Sequence, residues 1–122
     1  MSDTLFTRII KREIPAQIIH EDDLCLAFND INPQAPIHFL VIPRKPIPTL
    51  NDIAEADCAL IGHLFRVAAA IARDKGFAED GYRAVVNCND HGGQTVNHLH
   101  VHVIGGKPLG WPPFTERRKS GA

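Results

Sequence analysis

The stretch Val96-Asn97-His98-Leu99-His100-Val101-His102-Val103-Ile104 decides the fold, because three histidines alternate in it with apolar residues. Alternation with a period of two is typical of a half-buried β-strand, whose successive side chains point to opposite faces of the sheet. The pattern predicts that Leu99, Val101 and Val103 face a core while the three histidines share the other face. Residues two apart on a strand lie about 6.6–6.8 Å apart, so one reacting group can contact two of the imidazoles.

This histidine row admits three interpretations. A solvated strand face suits isolated histidines such as His20 and His63 better than three in strict alternation. A zinc site suits the His-x-His spacing, although no Cys, Asp or Glu stands close in sequence to complete the ligands. The third interpretation, nucleophilic catalysis on phosphorus, is favoured. A neutral imidazole is a competent nucleophile near pH 7, and flanking imidazoles can donate to phosphoryl oxygens.

The segment that precedes the row supports the third interpretation. It runs from Asn87 to Thr95 and contains the pair Gly92-Gly93. Glycine lets backbone N–H groups approach an anion closely, and Thr95 adds a hydroxyl donor. We therefore expect an anion-binding site that uses the N–H of Gly93 and the hydroxyl of Thr95. Asn87, at the end of the preceding strand, is expected to hold a phosphate or ribose oxygen.

The motif His98-x-His100-x-His102 followed by two apolar residues resembles the signature of the histidine triad (HIT) superfamily. The segments 27–43 and 92–96 resemble its Hint branch, as does Gly105-Gly106 with Trp111-Pro112-Pro113 near the end. The resemblance extends from Phe6 to Pro113. It implies hydrolysis of purine nucleoside 5′-phosphoramidates or acyl-adenylates, without a cofactor or a metal. A dinucleoside polyphosphate hydrolase of the same superfamily, and a non-enzymatic nucleotide- or zinc-binding protein, remain as alternatives.

The resemblance also implies roles for the histidines. His100 attacks the α-phosphorus and forms a nucleotidyl-histidine, His102 holds phosphoryl oxygens, and His98 holds His100. His38 is expected to orient His98 or its neighbours, as a fourth histidine beside the triad. The sequence does not indicate which group protonates the leaving amine.

Further roles concern the purine nucleotide itself. Asp30 stands after an apolar strand, where it is as well placed for a surface loop as for binding ribose hydroxyls; the resemblance favours ribose. Phe28 and Ile31 are then expected to sandwich the purine. The resemblance places Leu5, Phe6 and Ile9 at the border of the base pocket. It also implies a homodimer in which Trp111, in the tail, closes the active site of the partner subunit.

Composition limits the remaining possibilities. A chain of 122 residues with 44% hydrophobic and 22% charged residues fits one globular domain, expected over 1–113 with a flexible tail over 114–122. The net charge of −1 gives no field that would attract nucleic acid or an anionic membrane. Three widely spaced cysteines and no apolar membrane-length run favour a cytoplasmic protein.

The remaining patterns predict an α+β fold, a five-stranded antiparallel sheet that the resemblance extends across a dimer. A short helix is expected over 3–11, capped by Ser2 or Asp3, and a long helix from Ile53 or Glu55 to Lys75, with Gly76 as its C-cap. Besides the histidine strand, we expect strands at 17–21, 25–29, 38–43 and 82–87. The acidic run 21–23 is interpreted as a solvated hairpin turn.

Overall fold

The computed structural model describes residues 3–113, and five strands in that range form one antiparallel sheet. The sheet order is β1-β2-β3-β5-β4, where the strands are β1 (Ile18–Glu21), β2 (Cys25–Asn29), β3 (Ile37–Pro43), β4 (Tyr82–Val85) and β5 (Val101–Gly105). The predicted α+β fold is confirmed. Its extension across a dimer and the division into one domain remain predictions, and the predicted tail over 114–122 lies outside the described residues.

Two helices flank the sheet, α1 (Leu5–Ile10) and α2 (Cys58–Lys75). The prediction that Ser2 or Asp3 caps α1 is wrong, because Thr4 is the N-cap and forms a reciprocal capping box with Thr7. The long helix begins later than predicted, after two 3-10 turns over Leu50–Asp52 and Glu55–Asp57. Gly76 ends α2 as predicted, with a φ of +86° in the left-handed region. Among the described residues, no helix is long and apolar enough to cross a membrane.

Each face of the sheet has its own core. Leu64, Val67 and Ile71 of α2 pack on one face against the side chains of Phe39 and Val41, among others. The opposite face packs against α1, through the buried residues Phe6, Ile9, Leu26, Phe28, Leu40 and Ile42. Burying one such side chain contributes roughly 1.5–3 kcal/mol, so the alternation along β2 and β3 fixes which residues face α1.

The histidine strand is shorter than the alternation predicts. The last ladder pair joins Val41 to Val101, and continuing that register would set Pro43 opposite Leu99. Pro43 has no N–H to donate, and the Leu99 N–H donates to the Ile47 carbonyl instead, at 2.7 Å. Residues 96–100 are therefore irregular. The predicted separation of faces is nevertheless confirmed for Leu99, which lies in the core under α2 with Val101 and Val103.

The segment that leads to the histidines also differs from the prediction. β4 ends at Val85 and not at Asn87, and a single turn of helix, α3 (Asn89–Gly92), forms where only a turn was expected. Gln94 fixes this segment, because its side chain accepts from the Asn89 N–H and donates to the carbonyl of Pro48. The segment is thereby tied to the chain at Pro48, which follows β3.

Candidate active site

A cavity of about 230 Å³ opens between α1 and the sheet. Its wall is largely apolar, with two histidines and one carboxylate among its polar groups. Most of the sequence-predicted site residues line it: Leu5, Phe6, Ile9, Phe28, Asp30, Ile31, Thr95, His100 and His102. Residues of α1, β2 and the region around β5, which are far apart in the sequence, therefore meet at this cavity.

His100 is buried and its ring orientation is fixed. The Nδ1 atom lies 2.7 Å from the backbone carbonyl oxygen of His98. A carbonyl only accepts, so Nδ1 carries the proton and the neutral ring has its lone pair on Nε2. Phe6 packs edge-on against the ring, with centroids 4.9 Å apart. His100 thus presents a nitrogen lone pair at the cavity.

His102 has the opposite tautomer. The Gln34 N–H donates to Nδ1 of His38 at 3.0 Å, which leaves the proton of the neutral His38 ring on Nε2. That Nε2–H donates to Nδ1 of His102, also at 3.0 Å. The remaining nitrogen of His102, Nε2, therefore carries a proton. The site holds a lone pair on His100 beside an N–H donor on His102, whose ring centroid is 4.9 Å away.

His98 differs from its two neighbours, because it does not line this cavity. Its ring is 1% exposed, and Nε2 lies 2.8 Å from the Pro43 carbonyl oxygen, to which it donates. Nδ1 has no hydrogen-bond partner among the described residues. His98 contacts His100 through its backbone carbonyl, which accepts from Nδ1 of His100, and not through its ring.

Burial lowers the pKa of every ring in the group. For His98 and His100, lost hydration outweighs the hydrogen bonds to carbonyl oxygens, which favour the imidazolium. Burial, reinforced by His100 and His38, lowers the pKa of His102 to about 4. Burial also lowers the pKa of His38, against the opposing effect of Asp30. All four rings are neutral at pH 7, which is the state that the two tautomers require.

Asp30 lies between the apolar wall and the histidines. Its Oδ1 accepts from the Asn32 N–H at 2.8 Å, and its Oδ2 lies 3.4 Å from Nε2 of His38. Asp30, His38 and His102 also place one ligand atom each within 4.8 Å of one another, so this group has the spacing of a metal site. Within this group the Nε2–H of His38 donates to Nδ1 of His102.

Besides His98 and His38, three further predicted site residues do not line the cavity. The Gly93 N–H donates to the Asp90 carbonyl at 3.0 Å, so it is already paired within the end of α3. Asn87 and Gly93 are absent from the cavity wall, and Trp111 is 80% exposed. Of the predicted anion site, only Thr95 lies at the cavity.

Several groups that shape the site have no signal in the sequence. The backbone N–H of Gln34 fixes the His38 tautomer, and the Pro43 carbonyl fixes His98. Backbone groups give no residue-type signal. The cavity wall also includes Ile14, Pro15, Ala16, Leu40 and Val96, which are ordinary core residues in sequence.

Three alternating histidines at and just before the start of β5, with ring protons fixed by hydrogen bonds, are characteristic of histidine triad proteins. The chain belongs to the HIT family, because the family model of the HIT domain matches residues 11–109. It is 53% identical over 108 residues to the purine nucleoside phosphoramidase of Escherichia coli K12, covering 88% of this chain and 91% of that protein. A HIT-like protein of Synechocystis is 55% identical to this chain over 111 residues, and the match covers 91% of this chain and 96% of that protein.

Solved structures agree with these relatives. A HIT family hydrolase from Legionella pneumophila superposes with a TM-score of 0.89 at 46% identity, covering 91% of this chain and 99% of that one. A histidine triad protein from Clostridium difficile superposes with a TM-score of 0.87 at 44% identity, covering 90% of this chain and 96% of that one.

Proposed function

We propose that this chain is a nucleotide hydrolase that cleaves the P–N bond of purine nucleoside 5′-phosphoramidates through a nucleotidyl-His100 intermediate. The observation that carries the proposal is the tautomer of His100. Its Nδ1–H is held by the His98 carbonyl, so its Nε2 lone pair is available at the cavity. The name of the Escherichia coli relative favours phosphoramidates among the substrates of HIT proteins.

In the first step, the His100 Nε2 lone pair attacks the α-phosphorus and the P–N bond breaks. The departing amine takes the bonding electron pair and is protonated as it leaves. The modified ring of His100 is cationic, and its Nδ1–H strengthens its hydrogen bond to the carbonyl of His98. His102 donates its Nε2–H to a phosphoryl oxygen, where charge accumulates in the transition state.

In the second step, water attacks the phosphorus and the P–Nε2 bond breaks. The electron pair returns to Nε2 of His100, and the water releases one proton to solvent, which offsets the proton taken up by the amine in the first step. A nucleoside monophosphate and a free amine are the products. The ring returns to its starting tautomer because the His98 carbonyl has kept the Nδ1 proton in place throughout.

The cavity wall supports a purine nucleoside as the bound group. Phe28 is buried at its base, while Leu5 and Ile31 remain 45% and 95% exposed at its edge. A bound purine would bury this apolar surface, which favours binding. Asp30 has a carboxylate at the same edge to accept from ribose hydroxyls. The role of Trp111 at a partner subunit's site is part of the proposal and needs a dimer.

The decisive experiment compares His100→Ala with the parent chain on adenosine 5′-phosphoramidate. We expect the variant to bind nucleotide but to lose turnover and the adduct of one nucleoside monophosphate, which intact-mass measurement without acid detects during turnover. His91→Ala is the matched control, because His91 is exposed on α3 and does not line the cavity. An adduct on the His100→Ala chain would overturn the assignment of the nucleophile.

The same assay separates the alternatives. Faster cleavage of diadenosine polyphosphates than of adenosine phosphoramidate would favour a dinucleoside polyphosphate hydrolase. Nucleotide or zinc binding without turnover would favour a non-enzymatic interaction protein. We expect phosphoramidate cleavage that a chelator does not inhibit, since His102 supplies the donor that a metal would otherwise provide.

A further inference from the structure

A second group of ligating side chains lies at the face of the sheet that packs against α2, and the proposed chemistry does not use it. His20 Nε2 and His63 Nε2 each lie 2.8 Å from the same atom, Oδ2 of Asp22. The Sγ atom of Cys25 lies 3.6 Å from that oxygen. His20, Asp22 and Cys25 place their ligand atoms within 4.8 Å of one another.

The fold brings these four residues together from the β1–β2 hairpin and from α2. His20 and Cys25 belong to β1 and β2, and Asp22 lies in the turn between them. The Leu24 and Cys25 N–H groups both donate to Oδ1 of Asp22, at 2.8 Å, so the carboxylate is held with Oδ2 toward the histidines. His63 comes from α2, which covers this face. The triad cavity lies at the other face, beside α1.

We propose that His20, Asp22, Cys25 and His63 form a zinc-binding site that ties the β1–β2 hairpin to α2. Zinc takes imidazole nitrogen, thiolate and carboxylate ligands and prefers four of them in a tetrahedron. Magnesium and calcium prefer sets of oxygen ligands, and this group offers a carboxylate with sulfur and nitrogen.

The charges of the four ligands suit a divalent ion. One thiolate and one carboxylate balance the two positive charges of zinc, and two neutral imidazoles complete the shell. Arg44 is the nearby cation, but it is paired with Glu21 at 3.1 Å and donates to the Asp22 backbone carbonyl. Tetrahedral Zn–N and Zn–O bonds of about 2.0–2.1 Å place ligand atoms about 3.3 Å apart. The Nε2 atoms of His20 and His63, now 2.8 Å from Oδ2 of Asp22, must therefore separate from it by roughly half an ångström.

Binding must rearrange protons. The thiol of Cys25 loses its proton to solvent as the Zn–S bond forms. Each neutral imidazole gives up its hydrogen bond to Asp22, coordinates through Nε2 and carries its proton on Nδ1. Metal affinity should therefore rise with pH, because a coordinated thiol must be deprotonated.

This group of four residues cannot be recognised from the sequence alone. His20 and His63 are isolated in sequence, and the acidic run 21–23 is typical of a solvated turn. Only the packing of α2 on the sheet brings His63 to Asp22. The proposal is independent of the proposed function, since none of the four residues lines the nucleotide cavity.

The test is titration of the metal-free chain with zinc and with cobalt(II). We expect one ion per chain and a cobalt–thiolate charge-transfer band in the near ultraviolet. Cys25→Ser should abolish the band, and His63→Gln should weaken zinc binding by more than about 100-fold, since even changes beyond the direct ligands cost roughly 10–100-fold. Zinc should raise the Tm of the parent chain but not that of His63→Gln. Because the His63 side chain is partly exposed, we expect the variant to fold.

Two control variants make the outcome decisive. Cys58→Ser makes the same change at an exposed cysteine and should bind zinc like the parent chain. His102→Asn disrupts the other group with metal-site spacing, Asp30, His38 and His102, and should also retain the ion. Absence of binding by the parent chain, full binding by both Cys25→Ser and His63→Gln, or loss of the ion in His102→Asn would each overturn the proposal.

Discussion

At the scale of single residues, the candidate site depends on which nitrogen of each ring carries a proton. Replacing His38 tests this directly. His38→Leu removes the donor to Nδ1 of His102, so nothing holds the Nε2–H of His102 toward the cavity. The loss should approach that of one oxyanion donor, up to roughly 10²-fold in kcat, with KM nearly unchanged.

His38→Gln is the matched variant, because its side-chain amide can place an N–H donor near the original Nε2. We expect His38→Gln to recover part of the lost kcat in steady-state measurements on adenosine phosphoramidate. Equal losses in the two variants would show that His38 acts through packing and not through the hydrogen bond. A rise in KM alone would contradict the role in orienting His102.

The pH dependence of activity is a second prediction at this scale. A free imidazole titrates near 6.5, but burial lowers the pKa of His98, His100 and His38, and that of His102 to about 4. A lowered pKa keeps the base neutral as pH falls, so the nucleophile persists below 6.5. We expect kcat/KM to stay level through pH 6.5 and to decline only at lower pH.

Adenosine binding over the same pH range is the control for this profile. Adenosine has no phosphate, so its affinity reports the integrity of the cavity separately from the chemistry. A decline of kcat/KM centred at or above pH 6.5, with adenosine binding intact, would mean that the rings are not neutral in the way that their burial requires.

At the scale of elements, replacing either of two glycines in the α2 region with alanine is expected to change the free energy of unfolding in opposite directions. Gly76 ends α2 at a φ of +86°, where an added Cβ meets no atom within 4 Å, so Gly76→Ala should cost about 1 kcal/mol through backbone strain alone. Gly62 lies inside α2, is exposed and also has open space. Gly62→Ala should stabilise by about 0.5–1 kcal/mol.

Thermal denaturation of the two variants checks this prediction. Gly76→Ala should lower the Tm and Gly62→Ala should raise it, with unchanged turnover per folded molecule in both. A lower Tm for Gly62→Ala would indicate that its surface is covered by another subunit.

The elements also show what the sequence can predict. Periodicity predicts the type and order of the five strands and two main helices because burial on one face is a local signal. The boundary of β5 was missed because it depends on Pro43, which lacks the N–H that Leu99 would need across the sheet. The triad was recognisable from alternation, whereas the hydrogen bond between His38 and His102 depends on the register of β3 and β5, and the zinc group depends on how α2 packs.

At the scale of the whole molecule, the predicted homodimer is open to a direct test. Tyr82 of the edge strand, Phe65 of α2 and Trp111 are large hydrophobic side chains exposed in the single chain, which suits an association surface. Sedimentation velocity at micromolar concentration should give a dimer. A monomer at that concentration would remove the basis for placing Trp111 at a partner's site.

Complementation between inactive subunits then tests where Trp111 acts. If Trp111 closes the site of its partner, Trp111→Ala and His100→Ala should each be impaired as homodimers. In a mixed dimer, the Trp111→Ala subunit retains His100 and receives the intact Trp111 of its partner. Refolding a mixture of the two variants should therefore recover sites that neither homodimer has. If Trp111 acted within its own subunit, neither subunit of the mixed dimer would hold both groups, and turnover would not exceed the sum of the separate variants.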